Sequence, residues 1–338
     1  MSSHKLHRTS IIHHKGTGVK LRTPLLVPSF SSKGFKATEL STIFDSSGAF
    51  ITETYLVSAY DIAQGHLAKP RELSFRPELL FLDSGGYEVS KDQDLSAVEV
   101  PRPATKPWSV QQLTQILDGW PDEIATVFVS YDHPSERKPF SEQVKAARQL
   151  FKGRPHLCTL LLKPQTETEE TLNNALREAM ANAGELQSFD TVGVTEKEIG
   201  RSALERMVRI ARLRKALDEA QVPAPIHVFG ALDPISACLY FLAGAEIFDG
   251  QTWIRYAYDA TGRCVYGSNH GVLEYGLDVR ENDTKTRFMS QNIYQLQQLQ
   301  RKLQEFEVKK NFQKLDHHAK LLQNAVDTLE TALQKGVF

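Results

Sequence analysis

The stretch LLFLDSGG, at residues 79–86, decides the fold. It begins with a continuous apolar run and ends with an aspartate, a serine and two glycines. Continuous apolarity, unlike strict alternation, favours a strand that is buried on both faces of a parallel sheet. Further runs rich in apolar and β-branched residues follow the same pattern, at residues 24–30, 49–55, 126–132, 157–163, 191–196, 225–231 and 246–250.

Segments with helical character lie between these runs, for example at residues 109–120, 140–151 and 200–220. Strand and helix alternate through eight units, which predicts an α/β protein built as a (β/α)₈ TIM barrel. A doubly wound open sheet is the alternative that uses the same alternation. The Pro- and Lys-rich residues 100–107 interrupt the third unit and predict a loop over the barrel mouth.

The two ends of the chain differ from this alternating middle. Residues 1–22 predict an N-terminal arm or hairpin, and residues 23–288 the barrel. Residues 289–338 contain almost no Gly or Pro and predict a C-terminal helical extension of two helices, broken near residues 310–311. One interpretation is that these helices pack on the barrel. The other is that the apolar stripe along the second of these helices forms an interface in a homodimer or a hetero-oligomer.

The composition predicts a cytoplasmic protein with no membrane partner. The chain has 338 residues, 41% of them hydrophobic, and a formal net charge of -1. No overall basic field demands a nucleic acid, and none excludes a local basic patch. Cys158, Cys238 and Cys264 are far apart, which fits a reducing compartment better than a disulfide framework. No apolar run is long enough for a transmembrane helix, and the N-terminus lacks a signal-peptide core.

Charged residues end most of the predicted strands. In a (β/α)₈ barrel the active site lies at the carboxyl ends of the strands, so these side chains should meet at one mouth. The strand-end residues are Asp83, Asp132, Lys163, Glu196, Phe229 with Gly230, and Asp249. Four carboxylates exceed what helix capping needs and suggest glycosyl chemistry or a metal site. His133 and His227 are interpreted as structural rather than as ligands, so we predict no catalytic metal and no cofactor.

Five motifs resemble those of the tRNA-guanine transglycosylases. LDSGGYEV (82–89) resembles the D-S-G-G-F/Y-Q signature of that family, and HVFGALDP (227–234) resembles its L-M-G-V/I-G-x-P turn. TPLLVPSFSSKG (23–34) resembles its first strand, and GAFITETYLVSAYDIAQG (48–65) its A-N-T-Y-H-L stretch. GAEIFDGQTWIRYAYDATGRC (244–264) resembles the block that carries the nucleophile. The matches occur in chain order over about residues 18–275.

The resemblance implies a (β/α)₈ barrel that exchanges a base in a polynucleotide. It implies that Asp249 is the nucleophile at C1′ of the ribose and that Asp83 is the general acid and base. It implies that Asp132 accepts hydrogen bonds from a guanine edge and that Tyr87 and Phe229 sandwich the base. The other substrate-binding residues by this comparison are Ser84, Lys163, Gly193, Gly230 and Arg255.

The chain departs from the family pattern in four places, one of which is the block after Asp249, where it reads G-Q-T-W-I-R rather than C-x-x-P-T-R. Glu88 stands where the family has Gln, and Lys163 stands where another Gln contacts the base. An ammonium only donates hydrogen bonds, so we expect Lys163 to alter base preference. The family's C-x-C-x-x-C…H zinc segment is missing from the sequence after residue 275, which leaves both tRNA and DNA open as the polynucleotide.

These motifs predict a transglycosylase that replaces guanine by a 7-deazaguanine in tRNA or DNA. Its partners would be the nucleic acid, with the target base flipped out, and a free deazaguanine-type base. An N-glycosidase that releases the base to water with the same two carboxylates is the second interpretation. A non-catalytic, transglycosylase-like partner subunit is the third. Asp83 and Asp249 argue against that third interpretation, because a scaffold needs neither acid.

Overall fold

The computed structural model describes residues 6–33, 37–90, 94–96, 105–165 and 169–337. The strands are β1 (Ile11–His14), β2 (Val19–Arg22), β3 (Leu25–Phe30), β4 (Thr54–Ser58), β5 (Leu79–Asp83), β6 (Thr126–Val129), β7 (Leu157–Leu161), β8 (Thr191–Thr195), β9 (Ile226–Phe229), β10 (Ile247–Gly250), β11 (Ala257–Tyr258) and β12 (Cys264–Val265). The helices are α1 (Ala37–Ser47), α2 (Ala59–Ala63), α3 (Gly86–Val89), α4 (Val110–Asp118), α5 (Phe140–Phe151), α6 (Glu169–Ala181), α7 (Ala203–Glu219), α8 (Pro234–Leu242), α9 (Thr252–Arg255), α10 (Gly267–Tyr275), α11 (Glu281–Lys309) and α12 (Ala319–Gln334).

Strands β3 to β10 form a closed parallel barrel. Each strand is hydrogen-bonded to the next, and β10 returns to pair with β3 in parallel, with Asp249 opposite Val27. Helices alternate with these strands along the chain. The prediction of a (β/α)₈ TIM barrel with an N-terminal hairpin and C-terminal helices is therefore confirmed. Within the described residues, no helix combines the length and apolarity that a bilayer crossing requires.

The continuous apolar runs arise because both faces of each strand are buried. In β5, Leu79 and Phe81 belong to the cluster that fills the barrel, whereas Leu80 and Leu82 belong to the cluster between the strands and the helices. Successive side chains of a strand point to opposite faces. Asp83, the last residue of β5, therefore points inward at the mouth.

The N-terminal hairpin closes the amino end of the barrel. Strands β1 and β2 pair antiparallel, and Ile12 and Leu21 join the inner apolar cluster. Glu246, directly before β10, accepts a hydrogen bond of 2.9 Å from Nε of Arg8 and one of 2.6 Å from Oγ1 of Thr23. Because this end is covered, access to the interior is from the carboxyl end.

One predicted strand has different bounds in the structure, and one predicted loop lies largely outside the described residues. The strand predicted at residues 49–55 is wrong in its bounds, since Gly48–Phe50 forms a 3₁₀ turn and β4 begins at Thr54, opposite Leu79. Ile51 is apolar because it packs into the outer cluster, not because it lies in a strand. Most of the mouth loop predicted at residues 100–107 lies outside the described residues.

The C-terminal helices pack on the barrel. Helix α11 ends at Lys309, and the next residue, Lys310, has a left-handed φ of 49°, at the predicted break. Leu315, Leu322 and Leu329, from the second apolar stripe, are buried in the same cluster as the outward strand residues. Helix α11 already begins at Glu281, so the boundary expected at residue 288 falls inside a helix. A homodimer or hetero-oligomer through these helices remains a prediction.

Two neighbouring leucines of α12 test this docking. Leu322 is fully buried, whereas Leu321 is 48% exposed. Leu322→Ala should lower the free energy of unfolding by about 2–5 kcal/mol, because it leaves a cavity between α12 and the barrel. Leu321→Ala should change it by less than about 0.5 kcal/mol. Urea unfolding measures both, and equal costs for the two variants would contradict the packing.

Candidate active site

A cavity opens at the carboxyl end of the barrel. Its empty volume is about 780 Å³, including the opening to solvent. Most of the predicted site residues line it, namely Asp83, Ser84, Tyr87, Asp132, Lys163, Phe229, Gly230 and Asp249. The parallel strands thus bring both candidate catalytic acids to the same cavity.

Asp249 is held by a hydrogen bond on each carboxylate oxygen. Oγ of Ser29 donates to Oδ2 at 2.7 Å, and Nε2 of His227 lies 3.1 Å from Oδ1. Both donors come from neighbouring strands, β3 and β9. The interpretation of His227 as purely structural missed this contact. Strand alternation could have found it, because Phe229 lies two residues later on the same inward face.

Asp83 lies in a different environment. Its carboxylate is buried and accepts one hydrogen bond, 3.2 Å long, from the backbone N–H of Gly85. Burial, followed by the negative charges of Asp249 and Asp132, raises the pKa of Asp83 to about 6. A carboxyl group with such a pKa exchanges protons readily near neutral pH, which suits a general acid and base.

The two glycines after Asp83 are required by the backbone. Gly85 has a left-handed φ of 91°. A Cβ on Gly86 would lie 1.5 Å from the carbonyl oxygen of Asp132, which no side chain can tolerate. Ser84, between them and Asp83, accepts a hydrogen bond of 3.2 Å from the backbone N–H of Asp132. The DSGG sequence therefore fixes the distance between the loops after β5 and β6.

Lys163 forms an ion-pair network at the cavity wall. Its Nζ lies 3.2 Å from Oδ2 of Asp132 and 3.0 Å from Oε2 of Glu198, and Glu198 also pairs with Arg137 at 3.2 Å. Burial opposes the charge of Lys163, but the Asp132 and Glu198 carboxylates outweigh it and raise the pKa of the ammonium. Lys163 is therefore a partly buried cation that is paired on two sides.

Glu196 is not part of this network, although its strand-end position predicted it. The residue begins a 3₁₀ turn, Glu196–Glu198, and its carboxylate accepts a hydrogen bond of 2.7 Å from Oη of Tyr240 on α8. It does not line the cavity. The turn brings Glu198 to Lys163 instead.

Glu88 is a buried acid that carries its proton at neutral pH. The hydroxyls of Ser31 and Ser58 donate hydrogen bonds to its carboxyl oxygens, that of Ser58 at 2.7 Å. Burial, followed by the charges of Asp61 and Asp83, raises the pKa of Glu88 to about 8. A neutral carboxylic acid can donate one hydrogen bond and accept another, as an amide does. Glu88 can therefore replace the Gln that the resemblance leads one to expect.

The two aromatic residues expected to flank a base both line the cavity. The ring of Phe229 is stacked on that of His227, with centroids 3.8 Å apart. Gly193 does not line the cavity, and a Cβ there would lie 2.7 Å from the Phe229 ring, so the glycine makes room for that ring. The Tyr87 ring is covered on one face by the ammonium of Lys33, 3.9 Å from its centroid.

Arg255 is bound to a residue that the sequence analysis did not single out. Its Nη1 lies 2.7 and 2.8 Å from the two oxygens of Asp94 and 2.9 Å from Oγ of Ser96. Oη of Tyr87 donates to the same Asp94 at 2.8 Å. Asp94 lines the cavity next to Gly230, whereas Arg255 lies behind it. Asp94 stands in a polar segment without periodicity, so no sequence pattern pointed to it.

The cysteines do not form a zinc site like that of the tRNA-guanine transglycosylases, which the motifs resemble. Cys158, on β7, lies beside Asp190, and Cys238 is buried in α8. Sγ of Cys264 lies 2.9 Å from Oδ2 of Asp233. In the part of the chain that the structure describes, no group of three or more His, Cys, Asp or Glu is placed to hold a metal ion. The described residues therefore do not fit that zinc centre.

No known family model matches this chain, and no curated protein matches it. The resemblance to the tRNA-guanine transglycosylases accordingly rests on the sequence motifs.

Glu88 generates a prediction about pH. The unfolded chain releases this proton near its ordinary value of 4.5, while the folded protein keeps it to about pH 8. The contribution of Glu88 to stability is therefore complete below pH 4.5 and lost as pH rises through 8. Glu88→Gln should remove this loss, because the amide stays neutral and can still hydrogen-bond to both serines.

Urea unfolding at pH 6 and pH 9 measures the effect, for which wild type should lose about 2–3 kcal/mol more than Glu88→Gln. The exposed Glu330→Gln on α12 is the matched control and should follow wild type. Parallel pH curves for wild type and Glu88→Gln would show that Glu88 is ionised in the folded protein.

Proposed function

We propose that this protein is a base-exchange transglycosylase, which replaces guanine by a 7-deazaguanine in a polynucleotide, either tRNA or DNA. One observation carries the proposal. Asp83 and Asp249 line one cavity in opposite environments, Asp249 with a hydrogen-bond donor on each oxygen and Asp83 with a raised pKa. Such a pair supplies an anionic nucleophile and a proton donor, the two groups that a retaining displacement at a sugar carbon needs.

The first half-reaction uses both groups. A carboxylate oxygen of Asp249 attacks C1′, and the bond from C1′ to the purine nitrogen breaks with its electron pair on the base. Asp83 gives its proton to the departing base, which leaves neutral. Asp249 is then esterified to the ribose and Asp83 is ionised.

The second half-reaction reverses these roles with a different base. Asp83 takes a proton from the ring nitrogen of the incoming deazaguanine, and that nitrogen attacks C1′. The bond between C1′ and Asp249 breaks, and its electron pair restores the carboxylate. Proton and charge balance over the cycle, and no outside reductant or oxidant is needed.

The cavity wall supports recognition of a guanine-type base. Asp132 can accept hydrogen bonds from N1–H and the exocyclic amine, and its partner Lys163 can donate to a carbonyl oxygen. Phe229 offers a ring for stacking, which is worth about 1–3 kcal/mol per base. Water in place of the incoming base would make the enzyme an N-glycosidase, so the experiment must separate the two outcomes.

Exchange of labelled guanine tests the proposal. Wild-type protein should incorporate radiolabelled guanine into bulk tRNA or into duplex DNA, and a denaturing gel should show a covalent protein–polynucleotide adduct. Asp249→Asn, nearly the same size, should abolish both. Asp83→Asn should slow exchange by about 10²–10⁴-fold, because the leaving base is no longer protonated. The exposed Asp327→Asn on α12 is the control and should behave as wild type.

Three results would decide against the proposal. Release of guanine without incorporation would identify a hydrolase. An adduct in Asp249→Asn would exclude Asp249 as the nucleophile. The absence of any adduct and any exchange in wild type, with both nucleic acids, would leave the non-catalytic interpretation.

Lys163 generates a prediction about the choice of base. If its ammonium contacts the base, Lys163→Gln should shift the ratio of kcat/KM between guanine and two 7-substituted deazaguanines by about tenfold, the effect of roughly one hydrogen bond to a charged group. The exposed Lys145→Gln on α5 is the matched control, since it removes the same kind of charge away from the cavity. Unchanged ratios in Lys163→Gln, with all bases slowed equally, would reject a role in recognition.

A further inference from the structure

His227 is a fully buried histidine whose polar contact is with the candidate nucleophile. It lies on β9, and its Nε2 is 3.1 Å from Oδ1 of Asp249. The ring is stacked on Phe229 at 3.8 Å, and Phe81 meets it edge-on with centroids 5.4 Å apart. The two aromatic rings fix the plane of the imidazole, so the direction of its N–H is fixed as well.

The tautomer of His227 follows from its surroundings. A carboxylate oxygen only accepts hydrogen bonds, so Nε2 must carry the proton that points at Asp249. Nδ1 is buried, and among the described residues it has no hydrogen-bond partner. A proton on Nδ1 would be a buried, unsatisfied donor, which is energetically unfavourable. The imidazole thus directs one N–H, that of Nε2, at Asp249.

This hydrogen bond has unequal value in the two half-reactions. When Asp249 attacks, its negative charge disappears, and a donor on the carboxylate gives no advantage beyond orientation. When Asp249 leaves C1′, negative charge develops on its oxygens, and a fixed N–H directed at one of them stabilises it. The donor therefore favours breakdown of the covalent intermediate more than its formation.

We propose that His227 is a positioning residue that orients Asp249 and makes it a good leaving group in the second half-reaction. The inference rests on the proposed transglycosylase function and deepens it. Ser29 holds the other oxygen, Oδ2, so the two donors together fix the carboxylate plane against C1′. A histidine that only filled the barrel would need neither Nε2–H nor its direction toward Asp249.

Two substitutions separate the N–H from the ring. His227→Phe keeps an aromatic ring between Phe81 and Phe229 but removes the donor. His227→Gln loses the ring but places an amide N–H near the position of Nε2. Thr159→Val is the control, because it removes a buried hydrogen bond to Thr191 inside the same barrel without contacting Asp249.

Rapid-quench measurements with labelled polynucleotide follow formation and breakdown of the adduct. His227→Phe should form the adduct within about tenfold of the wild-type rate but break it down about 10²-fold more slowly, so that the adduct accumulates. His227→Gln should recover most of the breakdown rate, and Thr159→Val should match wild type.

The possible failures are distinct. Breakdown in His227→Phe as fast as in wild type, or in His227→Gln as slow as in His227→Phe, would overturn the role of His227 alone. Equal slowing of both steps in His227→Phe would indicate packing rather than leaving-group stabilisation and would overturn it too. Wild type that forms no adduct with either nucleic acid would overturn the proposed function, and this inference with it.

Discussion

Several carboxyl groups share one barrel mouth, and the arrangement of the site depends on how each of them is stabilised there. A buried carboxylate is costly unless it is paired, hydrogen-bonded or protonated. Asp249 is hydrogen-bonded by Ser29 and His227, and Asp132 is paired with Lys163. For Asp83 and Glu88, burial and neighbouring negative charges outweigh the hydrogen bonds they accept and raise their pKa values to about 6 and about 8.

Hydrogen bonding, ion pairing and protonation thus place chemically different carboxyl groups within one cavity. The pKa of Glu88 is raised to about 8 and that of Asp83 to about 6, whereas Asp249 has a hydrogen-bond donor on each carboxylate oxygen. Two carboxyl groups whose environments differ in this way can act as acid and nucleophile in the same reaction. The closed parallel sheet supplies the geometry, because it brings the ends of distant strands, β5 and β10, to one mouth.

The fold and the two central acids could be predicted from local patterns. Strands buried on both faces read as continuous apolar runs, and the carboxyl-end rule places Asp83 and Asp249 together. The predictions that failed concern turns and contacts between residues that are distant in sequence. One 3₁₀ turn exchanges Glu196 for Glu198, and Asp94 meets Arg255 across 161 residues of separation. Neither a turn's rotation nor such a contact leaves a periodic signal in the sequence.

The departures from the transglycosylase motifs are linked to one another through charge. Lys163 places a partly buried cation where the motifs lead one to expect an amide, and the ammonium is accommodated because Glu198 and Asp132 both pair with it. The added charge of Glu198 is shared in turn with Arg137. Glu88 needs no such partner, because it holds its own proton and keeps the hydrogen-bonding capacity of an amide. Lys163 is therefore stabilised by an ion network and Glu88 by a raised pKa, so Lys163 is the one of the two that adds a positive charge to the cavity wall.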